Sequence, residues 1–109
     1  MSKKAQVNID VELDVNHVPE SMTWTASEMG EGGLCKAALI SIWDSTEQNT
    51  LKLDLWTKDM PVEEMKIMFH QTLLSMADSF GRATGEEKMA HQMREFARFF
   101  AEELKLLRS

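Results

Sequence analysis

Asp10, Glu12 and Asp14 stand two residues apart near the start of the chain. On an extended backbone that spacing sets successive carboxylates about 6.5–7 Å apart on one side. Such a row suits neither a tight metal cage nor an acid/base pair, and no Asp-rich loop with EF-hand spacing accompanies it. The simpler reading is a solvated strand face whose charge discourages edge-to-edge association. Glu87, His91 and Glu95 recur at four-residue intervals further on. They stack on one side of a helix, but no HExxH and no second histidine at ligand spacing joins them. A surface histidine between two carboxylates is the expectation. Cys35 with His70 or His91 and a carboxylate would supply the types of a thiol triad. A single cysteine opening an apolar strand is more simply a small buried hydrophobe, because reactivity requires a depressed thiol pKa. Gly30-Glu31-Gly32-Gly33 lacks the Gly-Lys-Ser/Thr of a phosphate loop and opens no helix. No catalytic, cofactor-binding or metal-ligating residue is therefore expected.

These residues sit on elements that the apolar spacing defines. Val7, Ile9, Val11, Leu13 and Val15 alternate with polar residues, which predicts a half-buried strand over about Ala5–Val15. Val18-Pro19-Glu20-Ser21 breaks it, and Met22–Ala26 reads as a short second strand. Ser27–Leu34, with three glycines, reads as a flexible loop. Lys36–Trp43 is apolar on both faces, the pattern of a central strand. Asp44–Asn49 has the composition of a hairpin loop. Thr50–Thr57 alternates again, with Leu51, Leu53 and Leu55 inward.

The period changes after Asp59, a candidate N-cap followed by Pro61 in the first turn. Val62, Met65, Phe69, Leu73, Met76, Phe80 and Ala83 form one apolar stripe of a helix to about Arg82. Thr84 and Glu87 have the spacing of a capping box. A second helix then runs to about Leu107, with Met89, Met93, Phe96, Phe100, Leu104 and Leu107 on its stripe. The short connection makes the pair antiparallel. The expectation is an α+β fold: an antiparallel sheet of three to four strands within about 5–57, then a helical hairpin at about 61–108 packed on one face. All 109 residues form a single domain in this reading.

Twelve Lys and Arg against 18 Asp and Glu give a net charge of −6. That balance argues against nucleic acid and against an anionic membrane surface. One cysteine precludes an internal disulfide and fits a reducing compartment. No apolar run approaches a membrane span, and no signal h-region or lipidation motif is evident. A cytoplasmic protein without membrane insertion is expected.

Some apolar positions exceed what one monomeric core consumes. Ile67 and Leu74 lie roughly opposite the first helix's stripe, and Phe99 and Leu106 lie about 100° off the second's. Trp43 and Trp56 fall on the sheet face away from the helices. Six of the nine methionines, Met60, Met65, Met68, Met76, Met89 and Met93, lie on or beside the helices. Methionine fills irregular cores and equally suits adaptable binding surfaces. These faces predict a homo-oligomer, most simply a twofold dimer through the helix positions, with the tryptophan face as the other candidate.

The stretch Leu53-Asp54-Leu55-Trp56-Thr57-Lys58-Asp59-Met60-Pro61-Val62-Glu63-Glu64-Met65-Lys66 closely resembles the gliding motility-associated GldC family. Val11-Glu12-Leu13-Asp14, Val18-Pro19-Glu20, Ser41-Ile42-Trp43-Asp44 and Phe69-His70-Gln71-Thr72-Leu73 share the resemblance, which runs from the first strand to Phe100. It implies a soluble, non-enzymatic cytoplasmic accessory that supports gliding through contacts with a protein of the gliding machinery. It supplies no catalytic residues. The order of strands then helical hairpin in an acidic chain also looks like the export chaperone SecB, a topological likeness that implies a holdase for unfolded or exported clients.

Overall fold

The computed structural model describes residues 3–27 and 30–106. Five strands precede two helices, an α+β arrangement: β1 (Val7–Leu13), β2 (Pro19–Ala26), β3 (Glu31–Cys35), β4 (Ala37–Asp44), β5 (Asn49–Trp56), α1 (Val62–Thr84) and α2 (Glu87–Glu103). The chain divides into two compact units, Met1–Met60 and Pro61–Ser109.

In the strand unit, all pairing is antiparallel, in two sheets rather than one: β1-β2-β3 and β4-β5. Ile9 pairs with Trp24 and Val11 with Met22, so the alternating apolar set of β1 meets that of β2 on one face. β2 starts at Pro19 rather than at Met22. A proline is tolerated as the first residue of a strand, where its missing N–H costs no ladder bond.

The segment read as a flexible loop is in part β3. Gly32 and Gly33 lie in it, opposite Thr25 and Trp24. A Cβ on Gly32 would come within 2.6 Å of the Trp24 carbonyl oxygen, so this glycine permits close backbone approach. A Cβ on Gly33 would lie 3.9 Å from the Trp24 indole nitrogen, an ordinary van der Waals contact. The two-faced apolar character of β4 does not make it central: among the described residues it pairs with β5 alone.

The helical unit is a hairpin closed by small residues. Its buried residues are Ala77 and Gly81 on α1 and Ala90, Ala97 and Ala101 on α2. A Cβ on Gly81 would lie 3.3 Å from that of Ala90, which shows how closely the helices approach at this end. Arg94 Nη2 reaches Asp78 Oδ1 across the same seam at 3.3 Å.

The helix ends differ from expectation in chemistry. Pro61 occupies the N-cap of α1 with no side-chain bond, while the Asp59 carboxylate accepts the Thr57 hydroxyl instead. Thr84 is the last residue of α1: it donates to the Phe80 carbonyl at 2.7 Å and accepts the Glu86 N–H at 3.1 Å. The capping box with Glu87 therefore does not form, and Glu86 is the N-cap of α2. Gly85 turns the chain with φ +75°, its N–H donating to Gly81. α2 stops at Glu103, short of Leu107. Leu106 N–H donates to the Ala101 carbonyl at 2.8 Å and Lys105 N–H to that of Glu102 at 3.2 Å, with Lys105 at φ +57°. That is a Schellman closure with lysine where glycine is usual. Leu107 lies outside the described residues.

Candidate interaction surfaces

Neither the acidic row of β1 nor the Glu87-His91-Glu95 grouping of α2 gathers into one centre. Asp14 leaves the row of Asp10 and Glu12 and becomes the anchor of the β1–β2 turn. Its Oδ1 accepts the N–H groups of Asn16 (2.8 Å) and Val18 (3.0 Å). Its Oδ2 lies 2.9 Å from Lys58 Nζ, and Lys58 also reaches Glu20 at 3.7 Å. The Lys58 ammonium and those two N–H groups hold the Asp14 carboxyl at about 2, well below the ordinary value near 3.9. The same contact raises the pKa of Lys58. Sequence spacing concealed this role, because the partner lies 44 positions away.

On α2, His91 Nε2 is 3.7 Å from Glu95, whose carboxylate also takes Arg98 at 3.0 Å. Glu87 leans toward Gly81. These carboxylates serve neighbours on the hairpin rather than one centre. Cys35 closes β3 instead of opening β4, half-buried on the face of the buried Met22 with which it pairs. It belongs to the strand unit, and His70 and His91 belong to the helical unit. Among the described residues no group of three His, Cys, Asp or Glu is placed to hold a metal ion.

What the chain does present is apolar surface. Among the described residues six apolar side chains are buried, and five of them are alanine; Met22 is the large one. In the β4–β5 ribbon, directly opposed residues share a face. Ala37 opposes Trp56 and Trp43 opposes Thr50, which puts the two tryptophans on one face at opposite ends of the ribbon. They are 63% and 54% exposed. Leu39, Ser41, Lys52 and Asp54 lie between them, with Lys52 and Asp54 paired at 3.1 Å. The other face carries Ile40, Ile42, Leu51 and Leu53, of which Ile42, Leu51 and Leu53 are exposed, although the alternation in β5 predicts its leucines inward.

The helical unit sorts its apolar residues into two sides of unequal character. With Ala77 and Ala97 at the seam, a turn of about 100° per residue brings the stripes of Val62–Ala83 and Met89–Phe100 onto the same side of the hairpin. Those stripes were expected to be core, yet Phe69, Met76, Met89 and Phe96 are 43–56% exposed. Small residues take the inter-helix seam, which leaves the large ones outside it. Phe96 stacks obliquely with Phe99 and Phe100, with ring centroids 6.0 and 6.3 Å away. Ile67 and Leu74 stand exposed on the opposite side, the side of the Asp78–Arg94 pair. Phe99 is exposed on the outer flank of α2, and Leu106 is half-buried in the closing turn beyond the helix. Ile67 and Leu74 thus share one side of α1, while Phe99 and Leu106 belong to the flank and the closing turn of α2.

No helix among the described residues is long and apolar enough to cross a membrane. No curated protein and no solved structure matches the chain. The family model described as gliding motility-associated protein GldC-like matches residues 19–106, from the first residue of β2 to the closing turn of α2. With four-fifths of its length covered, the chain belongs to the GldC-like family of gliding motility-associated proteins.

Proposed function

We propose that this protein is a non-enzymatic cytoplasmic accessory of gliding motility that works through protein contacts, with the tryptophan face of the β4–β5 ribbon as the surface offered to the motility machinery. The family match over residues 19–106 carries the reading. Exposed aromatics on the ribbon support it: Trp43 and Trp56 are of the type that protein interfaces favour, and the Lys52–Asp54 pair between them is polar. A net charge of −6 favours a protein partner over nucleic acid.

The test is a deletion in a gliding host, complemented with wild type or with Trp43→Ser/Trp56→Ser. Wild type is expected to restore colony spreading. The double variant, folded by circular dichroism, is expected not to. Normal spreading of the deletion strain would overturn the reading. A general export defect with spreading intact would favour a SecB-like holdase instead.

A further inference from the structure

Among the described residues, β1 has one edge that no other strand covers, because its sheet runs β1-β2-β3. The Gln6 carbonyl accepts the Ser27 N–H at 2.9 Å, which turns Gln6 toward β2. Hydrogen-bonding direction alternates along an antiparallel strand, and pairing with β2 is regular from Val7 to Glu12. Asn8, Asp10 and Glu12 therefore direct their N–H and C=O groups into the sheet. Val7, Ile9 and Val11 direct theirs outward, a row of open donors and acceptors. Proteins commonly blunt such a row with a proline, a lysine or a bulge. The stretch Val7–Glu12 has neither proline nor lysine, and the bulge comes only at Glu12/Leu13.

Charge decides what this edge accepts. Lys3 and Lys4 precede the strand, Asp10 and Glu12 lie toward its end, and all four are exposed. An extended peptide that is basic throughout would meet Lys3 and Lys4 with like charge, and an acidic one would meet Asp10 and Glu12. The complement must carry its charges in the reverse order, and β1 itself, run antiparallel, does so. With Asn8 opposite Asn8, Lys4 falls opposite Glu12 and Gln6 opposite Asp10, each twice by symmetry. Val7 then falls opposite Ile9, so their outward groups exchange hydrogen bonds and the apolar face continues across the junction. A centre at Asp10 would set that carboxylate against its own copy. The acidic row thus bars some registers and leaves this one. The outer edge of β5 is less open: Lys52 and Asp54 already pair at 3.1 Å, and just beyond the strand the Lys58 N–H donates to the Pro19 carbonyl at 3.2 Å.

We infer that β1 pairs antiparallel with β1 of a second copy about a twofold axis at Asn8, joining the two three-stranded sheets into one. A twofold pairing closes on itself and covers the β1 edge of both partners. It rests on the strand unit and is independent of the role in gliding.

Sedimentation of the full chain at roughly 100 µM, where a micromolar dimer is well populated, is expected to show a dimer. Lys4→Glu alone and Glu12→Lys alone each set like charges together at two symmetric places, and each is expected to raise Kd about tenfold. The two together restore opposite charges and are expected to return Kd to within about threefold of wild type. Val7→Pro removes an outward N–H and no bond to β2, and is expected to give a monomer that is folded by circular dichroism. Asn8→Cys in a Cys35→Ser background puts two thiols at the axis, where Cα atoms of a non-hydrogen-bonded pair are about 4.5 Å apart. It is expected to form an intermolecular disulfide under mild oxidation, and Asp10→Cys in the same background is not. A monomeric wild type would overturn the inference, as would a dimer that survives Val7→Pro. A double charge variant as weak as the single ones, or cross-linking at Asp10→Cys in place of Asn8→Cys, would overturn it too.

Discussion

Lys58 Nζ lies 2.9 Å from Asp14 Oδ2, fastening the turn between the first two strands to the segment just beyond β5. The same carboxylate caps two turn N–H groups. One side chain therefore fixes a local turn and a distant strand end together. Its depressed pKa has a direct consequence. A carboxylate held at about 2 contributes stability that is fully present above the ordinary value near 3.9 and is lost as pH falls toward 2. Carboxyl NMR is expected to place the Asp14 midpoint near 2. Asp14→Asn is expected to lower the urea midpoint at pH 7 and to flatten its fall between about pH 4 and 2. An Asp14 midpoint near 4 would contradict the geometry.

Gly32 and Gly33 separate close approach from ordinary contact within one strand. Gly32→Val is expected to cost about 1–3 kcal/mol, because its Cβ meets backbone that has no room to yield. Gly33→Ala meets only the indole edge at van der Waals distance and is expected to stay within about 0.5 kcal/mol. Urea titration measures both, and amide exchange should show the Gly32 variant losing protection in β3 first.

The seam of the hairpin is expected to be similarly intolerant. Gly81→Leu forces a side chain into the space held by Ala90 and Glu87, and should destabilise by about 1–3 kcal/mol. Ser75→Ala on the exposed side of the same helix should change stability by less than about 0.5 kcal/mol. Thermal melts of the two variants distinguish a packed seam from a loose one.

The Asp78–Arg94 bridge crosses that seam but remains largely in solvent. A double-mutant cycle with Asp78→Ala and Arg94→Ala is expected to give a coupling of only about 0.2–1 kcal/mol, shrinking as salt is added. A larger, salt-insensitive value would mean that the pair carries the hairpin.

Much of the backbone was legible because its periods are clean. Alternation in Val7–Leu13 and the three- and four-residue recurrences after Val62 predict a strand and a helix, and each formed. β3 was obscured because two glycines in a row resemble a loop; the reason they sit in a strand is the Trp24 backbone and ring opposite them. The end of α2 was obscured because Lys105 adopts the conformation usually signalled by glycine. For the surfaces, the large residues dominated the helical pattern and drew attention from Ala77, Gly81, Ala90, Ala97 and Ala101. Their spacing of four and seven is itself a helix-contact signal. Reading it assigns the seam to the small residues and frees the phenylalanines and methionines for another role.

That division of labour sets how the molecule responds to temperature. Alanine and glycine have no rotamers to lose, so closing the hairpin costs no side-chain entropy at the seam. It also dehydrates little apolar area there, and hairpin closure should carry a small heat-capacity change. The phenylalanines and methionines hold the opposite stake. Covering them releases ordered water and carries a large negative heat-capacity change, a driving force that fades on cooling. Any assembly held by that side would therefore be cold-labile, loosening near 0 °C while the helical hairpin stays closed.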